Sequence, residues 1–224
     1  PGTFCVSKTA SSAPDNIVSY LVVAGGGAGG TPVAGGGGAG GFRFANSTCM
    51  PGPQSSPLAA PAGLVVPVAS YPIVVGGGAP GRARNATPVP SNIAPNGSSS
   101  SAFGLTATGG GPGGEGCAYY GGPGGSGGGG GQGPFTGTGN YYCGPATVGQ
   151  GNTPPVSPSQ GNNGGTGWTR YNTPSGNSKI GGGGGGGAAA VGSPMPPNAP
   201  EIGAAGGAGS PNSITGSAVN YAGG

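Results

Sequence analysis

The chain contains no histidine, and only three of its 224 residues are acidic: Asp15, Glu115 and Glu201. Without an imidazole, no Ser-His-Asp or Cys-His relay can be built from this polypeptide alone. The three carboxylates lie in loop-like sequence far from one another, so a paired-carboxylate mechanism requires the fold to bring two together. The sequence therefore reads as non-enzymatic. Basic residues are equally scarce: Lys8, Arg43, Arg82, Arg84, Arg170 and Lys179 give a net charge of +3 without clustering. A surface that tracks phosphates needs clustered Lys and Arg, so nucleic acid is not an expected partner. No run approaches the roughly 18 apolar residues of a membrane-spanning helix, and no membrane insertion is expected.

Cysteine is present four times, as Cys5, Cys49, Cys117 and Cys143, never in a C-x-x-C spacing. That spacing argues against a metal site. An even count suggests an oxidising, extracellular destination, with four free thiols as the alternative. Three pairings are open; proximity along the chain favours Cys5–Cys49 and Cys117–Cys143, worth roughly 3–4 kcal/mol each on the chain-entropy model. The stretch Gly25-Gly-Gly27-Ala-Gly-Gly30 formally matches the dinucleotide-binding spacing. However, Thr31-Pro-Val-Ala leads into more glycine instead of a helix, and no acidic residue follows within about twenty positions. No cofactor is expected.

What the chain has in abundance is glycine, 61 residues, and proline, 26. Disorder is the generic reading of such composition, but disorder usually comes with high charge, and charged residues are only 4% here. Hydrophobic residues are 33%, largely Ala and Val, so an oily core would be small and backbone hydrogen bonds must supply much of the cohesion. The central stretch, Gly109 to Gly133, is organised in triplets. From Gly121 it reads Gly-Gly-X with Pro123, Ser126, Gly129 and Gln132 in the third place, and Pro112 and Glu115 keep the same phase. A period of three is that of the polyproline II helix, whose outward-pointing N–H and C=O groups must find partners if buried. The expected architecture is a sandwich of laterally bonded polyglycine II helices beside a small β module, with essentially no α-helix. Gly109–Gly116, Gly121–Gly133 and Gly181–Gly187 would be such helices, the longest spanning roughly 40 Å. Gly183, Gly184 and Gly185, with no side chain on any face, are expected in the buried middle. The third-place residues, Ser126 among them, are expected on the solvent face, so that valine would be tolerated at Ser126 but not at Gly184.

The β module is legible from apolar runs near residues 17–24, 63–75, 101–108 and 213–221, each feeding a glycine tract. Pro67 and Pro72 confine the second of these to edges or bulges. No break marks a second domain, so 1–224 reads as one glycine-rich unit. Two Tyr pairs each adjoin a cysteine: Tyr119 and Tyr120 follow Cys117, and Tyr141 and Tyr142 precede Cys143. A Cys117–Cys143 bridge would gather the four rings, either as a recognition surface or as packing that caps the glycine layers; Trp168 and Tyr171 carry the same ambiguity. Asn46, Asn85 and Asn96 stand in N-glycosylation sequons of a kind that Asn/Ser/Thr-rich loops produce by chance.

The ordered series Tyr20-Leu-Val-Val-Ala-Gly-Gly-Gly27, Gly35 to Phe42, Tyr71-Pro-Ile-Val-Val-Gly-Gly77, Ser98 to Gly111, Gly121 to Gly131, Gly181 to Gly192 and Ser213 to Gly224 resembles the glycine-rich domain of bacteriophage tail-fibre and appendage proteins. Phage tail-tip adhesins with glycine-rich C-terminal domains are similar, as is the glycine-rich extracellular region of some receptor tyrosine kinases. The resemblance covers most of the chain from Ile17 onward. It implies polyglycine helices beside a small β module, in a virion or extracellular setting. Loops between the tracts would engage a host surface glycan or outer-membrane protein. The alternative is a self-assembling filament subunit whose partners are copies of itself.

Similar domains continue past the Tyr-Ala-Gly-Gly block into a further apolar strand, whereas this sequence stops at Gly224. It also starts at Pro1 without Met. Either it is a piece of a longer chain, or it leaves an open sheet edge that the segment Gly2–Lys8 of another copy would fill, head to tail.

Overall fold

The computed structural model describes residues 1–31, 33–45, 58–81, 94–115, 120–131, 142–143, 147–170, 179–196 and 203–224. Within them the protein is all-β, with small sheets, one short 3-10 turn at Ala13–Asn16 and no α-helix. The strands are β1 (Gly2–Val6), β2 (Ile17–Val18), β3 (Tyr20–Val23), β4 (Phe42–Ala45), β5 (Ala59–Ala60), β6 (Leu64–Val65) and β7 (Ala69–Ile73). They continue as β8 (Ser100–Ala102), β9 (Leu105–Ala107), β10 (Tyr142–Cys143), β11 (Trp168–Arg170), β12 (Lys179–Gly181), β13 (Ser210–Asn212) and β14 (Val219–Tyr221).

The sheet β3-β4-β5 is apolar on both faces, which is why Tyr20-Leu-Val-Val23 reads as an unbroken apolar run instead of an alternation. Tyr20, Val22 and Ala45 bury one face against Ala102 and Ala107. Phe42 and Phe44 bury the other against Ala188, with Leu21, Val23, Tyr221 and Ala222 around them. Register follows from that pattern, Val23 opposite Phe42 and Tyr20 opposite Ala45.

Three expectations are corrected here. The segment 101–108 is a hairpin, β8 and β9, turning at Phe103 and Gly104 with φ of 52° and 76°. Two successive positive φ values match the twist of the strands they join. Phe103 tolerates one because its ring packs on Tyr71 and Phe4, centroids 5.1 and 5.5 Å away. The segment 213–221 is likewise the turn and second strand of a hairpin that starts at Ser210, and Gly216 supplies its positive φ of 100°. Finally, Gly2–Val6 pairs antiparallel with β7 of its own chain, from Gly2 opposite Ile73 to Val6 opposite Ala69. The segment expected to serve another copy is thus engaged internally.

Where β3 and β4 run out, their pairing continues in glycine with a changed period. Ala24, Gly27 and Gly30 donate to the carbonyls of Gly41, Gly38 and Gly35. Gly25 and Ala28 donate to Ser98 and Pro95, and the Gly26 carbonyl accepts from Ala79. A strand would return to the same neighbour every second residue; these bonds return every third and address three neighbours in turn. The run Gly181–Gly187 does the same on more sides. Gly183 and Gly186 donate to Gly130 and Gly127 and accept from Gly36 and Ala39. Gly184 and Gly187 donate to Ser193 and Ala190 and accept from Gly165 and Asn162, while Gly182 and Gly185 accept from Ala204 and Gly207. All of these bonds are 2.8–3.2 Å long.

Glycine is needed there for close approach, not for an unusual dihedral. Among the described residues only Gly104 and Gly216 are glycines with positive φ. A Cβ on Gly183, Gly184 or Gly185 would instead lie under 3.0 Å from the carbonyl of Gly165, Ala205 or Gly37, and all three glycines are buried. The third-place residues of the central tract do not form a solvent face. Pro123 is exposed, but Pro112 and Ser126 are fully buried, because that tract has bonded neighbours on every side. The Ser126 hydroxyl has no hydrogen-bond partner. Gln132 lies outside the described residues.

Side chains complete the network where strands give way to tracts. Gln160, fully buried, accepts the Thr108 N–H on Oε1 (2.8 Å) and donates Nε2–H to the Pro154 carbonyl (3.0 Å), while its own carbonyl accepts from Phe42 N–H (2.8 Å). Asn162 Nδ2 donates to the carbonyls of Gly187 and Ala188 (3.0 and 2.8 Å).

Three predictions result. Gly184→Ala forces backbone apart and lowers stability by about 3 kcal/mol or more, whereas Gly77→Ala, with nothing within 4 Å of the new Cβ, is neutral or stabilising by up to about 1 kcal/mol. In the same thermal melts Ser126→Ala gains about 1 kcal/mol by removing an orphaned hydroxyl and Ser126→Val loses stability, opposite to the solvent-face expectation. Gln160→Leu orphans the Thr108 N–H and the Pro154 carbonyl at a cost of about 2–4 kcal/mol, read by urea denaturation.

Candidate binding groove

The residues singled out in the sequence separate into three groups. Tyr119, Tyr141, Tyr171, Cys49 and Cys117 lie outside the described residues. Tyr142 and Cys143 form β10, which pairs with Arg170 and Thr169 of β11, and β11 in turn sets Trp168 opposite Gly181. One three-stranded sheet therefore joins the segment 142–143 to Trp168 at the mouth of the Gly181–Gly187 tract. Trp168 is half-buried, and its Nε1 is buried without a hydrogen-bond partner. Tyr120 is exposed. Cys5 is a free, exposed thiol on β1 whose Sγ lies 3.5 Å from Ser70 Oγ, and its candidate partner Cys49 lies outside the described residues. Of the sequon asparagines, Asn96 is exposed and donates Nδ2–H to the Pro123 carbonyl at 2.9 Å; Asn46 and Asn85 lie outside the described residues. Among the described residues no group of three Cys, Asp or Glu is placed to hold a metal ion. No helix there is long and apolar enough to cross a membrane.

One concavity was not anticipated. A groove of about 630 Å³ runs along β3, lined by Ser19, Tyr20, Leu21, Val22 and Val23 on one side. Phe4, Ile73, Ala102 and Phe103 form a second wall, and Ile214, Thr215 and Tyr221 the third. Among the described residues no charged side chain lines it. β3 is the terminal strand of its sheet, so among the described residues no strand pairs with its outer edge. The groove exists because β1 folds back on β7 and brings Phe4 to Phe103, edge to face at an interplanar angle of 76°. The sequence does not announce it because the alternation in 101–108 reads as one strand, which hides the turn that raises Phe103. A Phe-Gly pair in mid-strand was the signal available. A smaller hollow of about 240 Å³ on the far side of Phe4 is lined in part by Lys8, Asp15 and Asn16.

An all-β chain whose glycine tracts bond laterally beside a small apolar β module has the architecture of a glycine-rich domain. The match to the glycine-rich domain family extends over residues 2–224, and the chain belongs to that family. No curated protein and no solved structure matches it.

The ring contact that shapes the groove is measurable. A double-mutant cycle of Phe4→Ala and Phe103→Ala is expected to give a coupling of about 1 kcal/mol, independent of protein concentration because both rings belong to one chain.

Proposed function

We propose that this chain is a non-enzymatic domain of a bacteriophage tail fibre or similar virion appendage. It acts as a rigid polyglycine II scaffold whose loops bind a surface glycan or outer-membrane protein of the host. One observation carries the reading: the run Gly181–Gly187 is bonded through its backbone to five other segments of the chain. A body held together in that way does not depend on the loops between its tracts. Those loops are therefore free to vary and to recognise, as loops on a rigid scaffold do. Family membership and the absence of histidine support a role in scaffolding and binding over one in catalysis. The purified domain is expected to bind whole host cells and to reduce adsorption of the parent particle in a dose-dependent manner. Electron microscopy of the native particle is expected to show it singly at a distal tip. Failure to compete, with the domain repeated along a shaft, overturns the reading.

A second reading, assembly between copies by strand addition, is favoured by the unpaired outer edge of β3 beside an uncharged groove. The Gly2–Val6 segment is already paired with β7, so the donor would be another segment. Light scattering across a concentration series separates the two readings. A mass that grows with concentration and falls back to monomer in Val23→Lys supports assembly, and a constant monomer mass excludes it.

A further inference from the structure

Asn96-Gly97 and Asn163-Gly164 are the only Asn-Gly steps in the sequence. In a flexible chain this step is labile. The glycine amide nitrogen attacks the Asn side-chain carbon Cγ, a N–Cγ bond forms, the Cγ–Nδ2 bond breaks and ammonia leaves. Water then opens the resulting succinimide at one carbonyl or the other, giving aspartate or isoaspartate. Glycine makes the reaction fast because its backbone rotates freely and no side chain blocks the approach.

In this structure the reacting groups of both steps are engaged elsewhere. Gly97 N–H, the nucleophile, donates to the Gly110 carbonyl at 3.0 Å, and Asn96 Nδ2, the leaving group, donates to the Pro123 carbonyl at 2.9 Å. Gly164 N–H donates to the Gly149 carbonyl at 3.1 Å. The Asn163 side-chain oxygen, on the carbon that would be attacked, accepts from Gly151 N–H at 2.8 Å. Both glycines are held flush against a neighbouring tract: a Cβ on Gly97 or Gly164 would overlap the carbonyl of Gly25 or Gly128. Both asparagine side chains are exposed, so exclusion of water is not what protects them.

We infer that the glycine tracts hold Asn96 and Asn163 as latent modification sites, which convert only when the tracts part and which then oppose their closing. Isoaspartate adds a carbon to the main chain and breaks the three-residue repeat at either position. Aspartate differs between the two. At Asn96 it turns a donor facing the Pro123 carbonyl into an acceptor, whereas at Asn163 it keeps the oxygen that Gly151 needs. The two sites therefore have distinguishable products: Asn96→Asp lowers the melting temperature more than Asn163→Asp.

The test is peptide mapping by mass spectrometry of the folded protein and of the same chain in guanidinium chloride, both held at mildly alkaline pH. Deamidation at both asparagines is expected to be about ten-fold or more slower in the folded state. It should accelerate in step with hydrogen exchange at Gly97 and Gly164 when sub-denaturing urea opens the tracts. Equal rates in the folded and unfolded chains at either position overturn the inference. So does a folded-state rate that stays constant while exchange accelerates.

Discussion

Everything in this protein depends on backbone groups meeting backbone groups at a separation that no side chain permits. A hydrogen bond between two extended tracts is worth only about 1 kcal/mol net, but leaving a buried N–H or C=O without a partner costs more. A run such as Gly181–Gly187 can be buried only because neighbours on every side accept and donate at three-residue intervals. Apolar burial takes second place: the two core clusters contain large residues only at Tyr20, Phe42 and Phe44, and are otherwise Ala, Val and partly covered chains. Ordering so much glycine is entropically expensive. The compensation is that one run such as 181–187 satisfies backbone groups of five other segments.

The β module and the tracts form one continuous pairing scheme. The antiparallel register of β3 and β4 passes from Val23 and Phe42 into Ala24 and Gly41, then to Gly27 with Gly38 and Gly30 with Gly35. At that junction the period changes from two to three, and a tract gains sides that a strand lacks. The junctions are also where side chains take over backbone roles: Gln160 at Thr108, Ser100 Oγ accepting from Gly76 N–H at 2.9 Å, and Ser99 Oγ from Gly109 N–H at 3.2 Å. Each is a short polar side chain reaching a backbone group left over by the change of period.

How far the sequence could be read follows from where local rules apply. The triplets from Gly121 and the bare run at 181–187 revealed the three-residue interval, because periodicity is a local property. The apolar run at Tyr20–Val23 located a strand for the same reason. What could not be read depends on the number of neighbours a tract acquires, which is set by residues far away. Ser126 and Pro123 occupy equivalent places in the repeat, yet one is enclosed and the other exposed, and only the positions of the segments around 36–39 and 161–165 decide which. The Phe103-Gly104 turn was hidden because alternation in 101–107 describes a hairpin as well as it describes a strand. The groove was invisible because its walls come from five separate stretches. Its edge strand was legible; its partner across the gap, Phe4, was placed by a pairing of residues 2–6 with 69–73 that no local pattern announces.

The bonding of one residue, Gly184, has a consequence for how the chain reaches this state. Its neighbours Gly183 and Gly185 meet Gly130, Gly36 and Gly207, and Gly184 itself meets Ser193 and Gly165. The central run therefore has partners from the first fifth of the chain to its last tenth. No contiguous portion contains the contacts that bury it, so loop closures across most of the sequence must precede the gain in bonding. On a ribosome, the amides of the 181–187 run would stay bonded to water until the segment around Gly207 emerged, even where earlier pairs such as Gly27 with Gly38 had already formed.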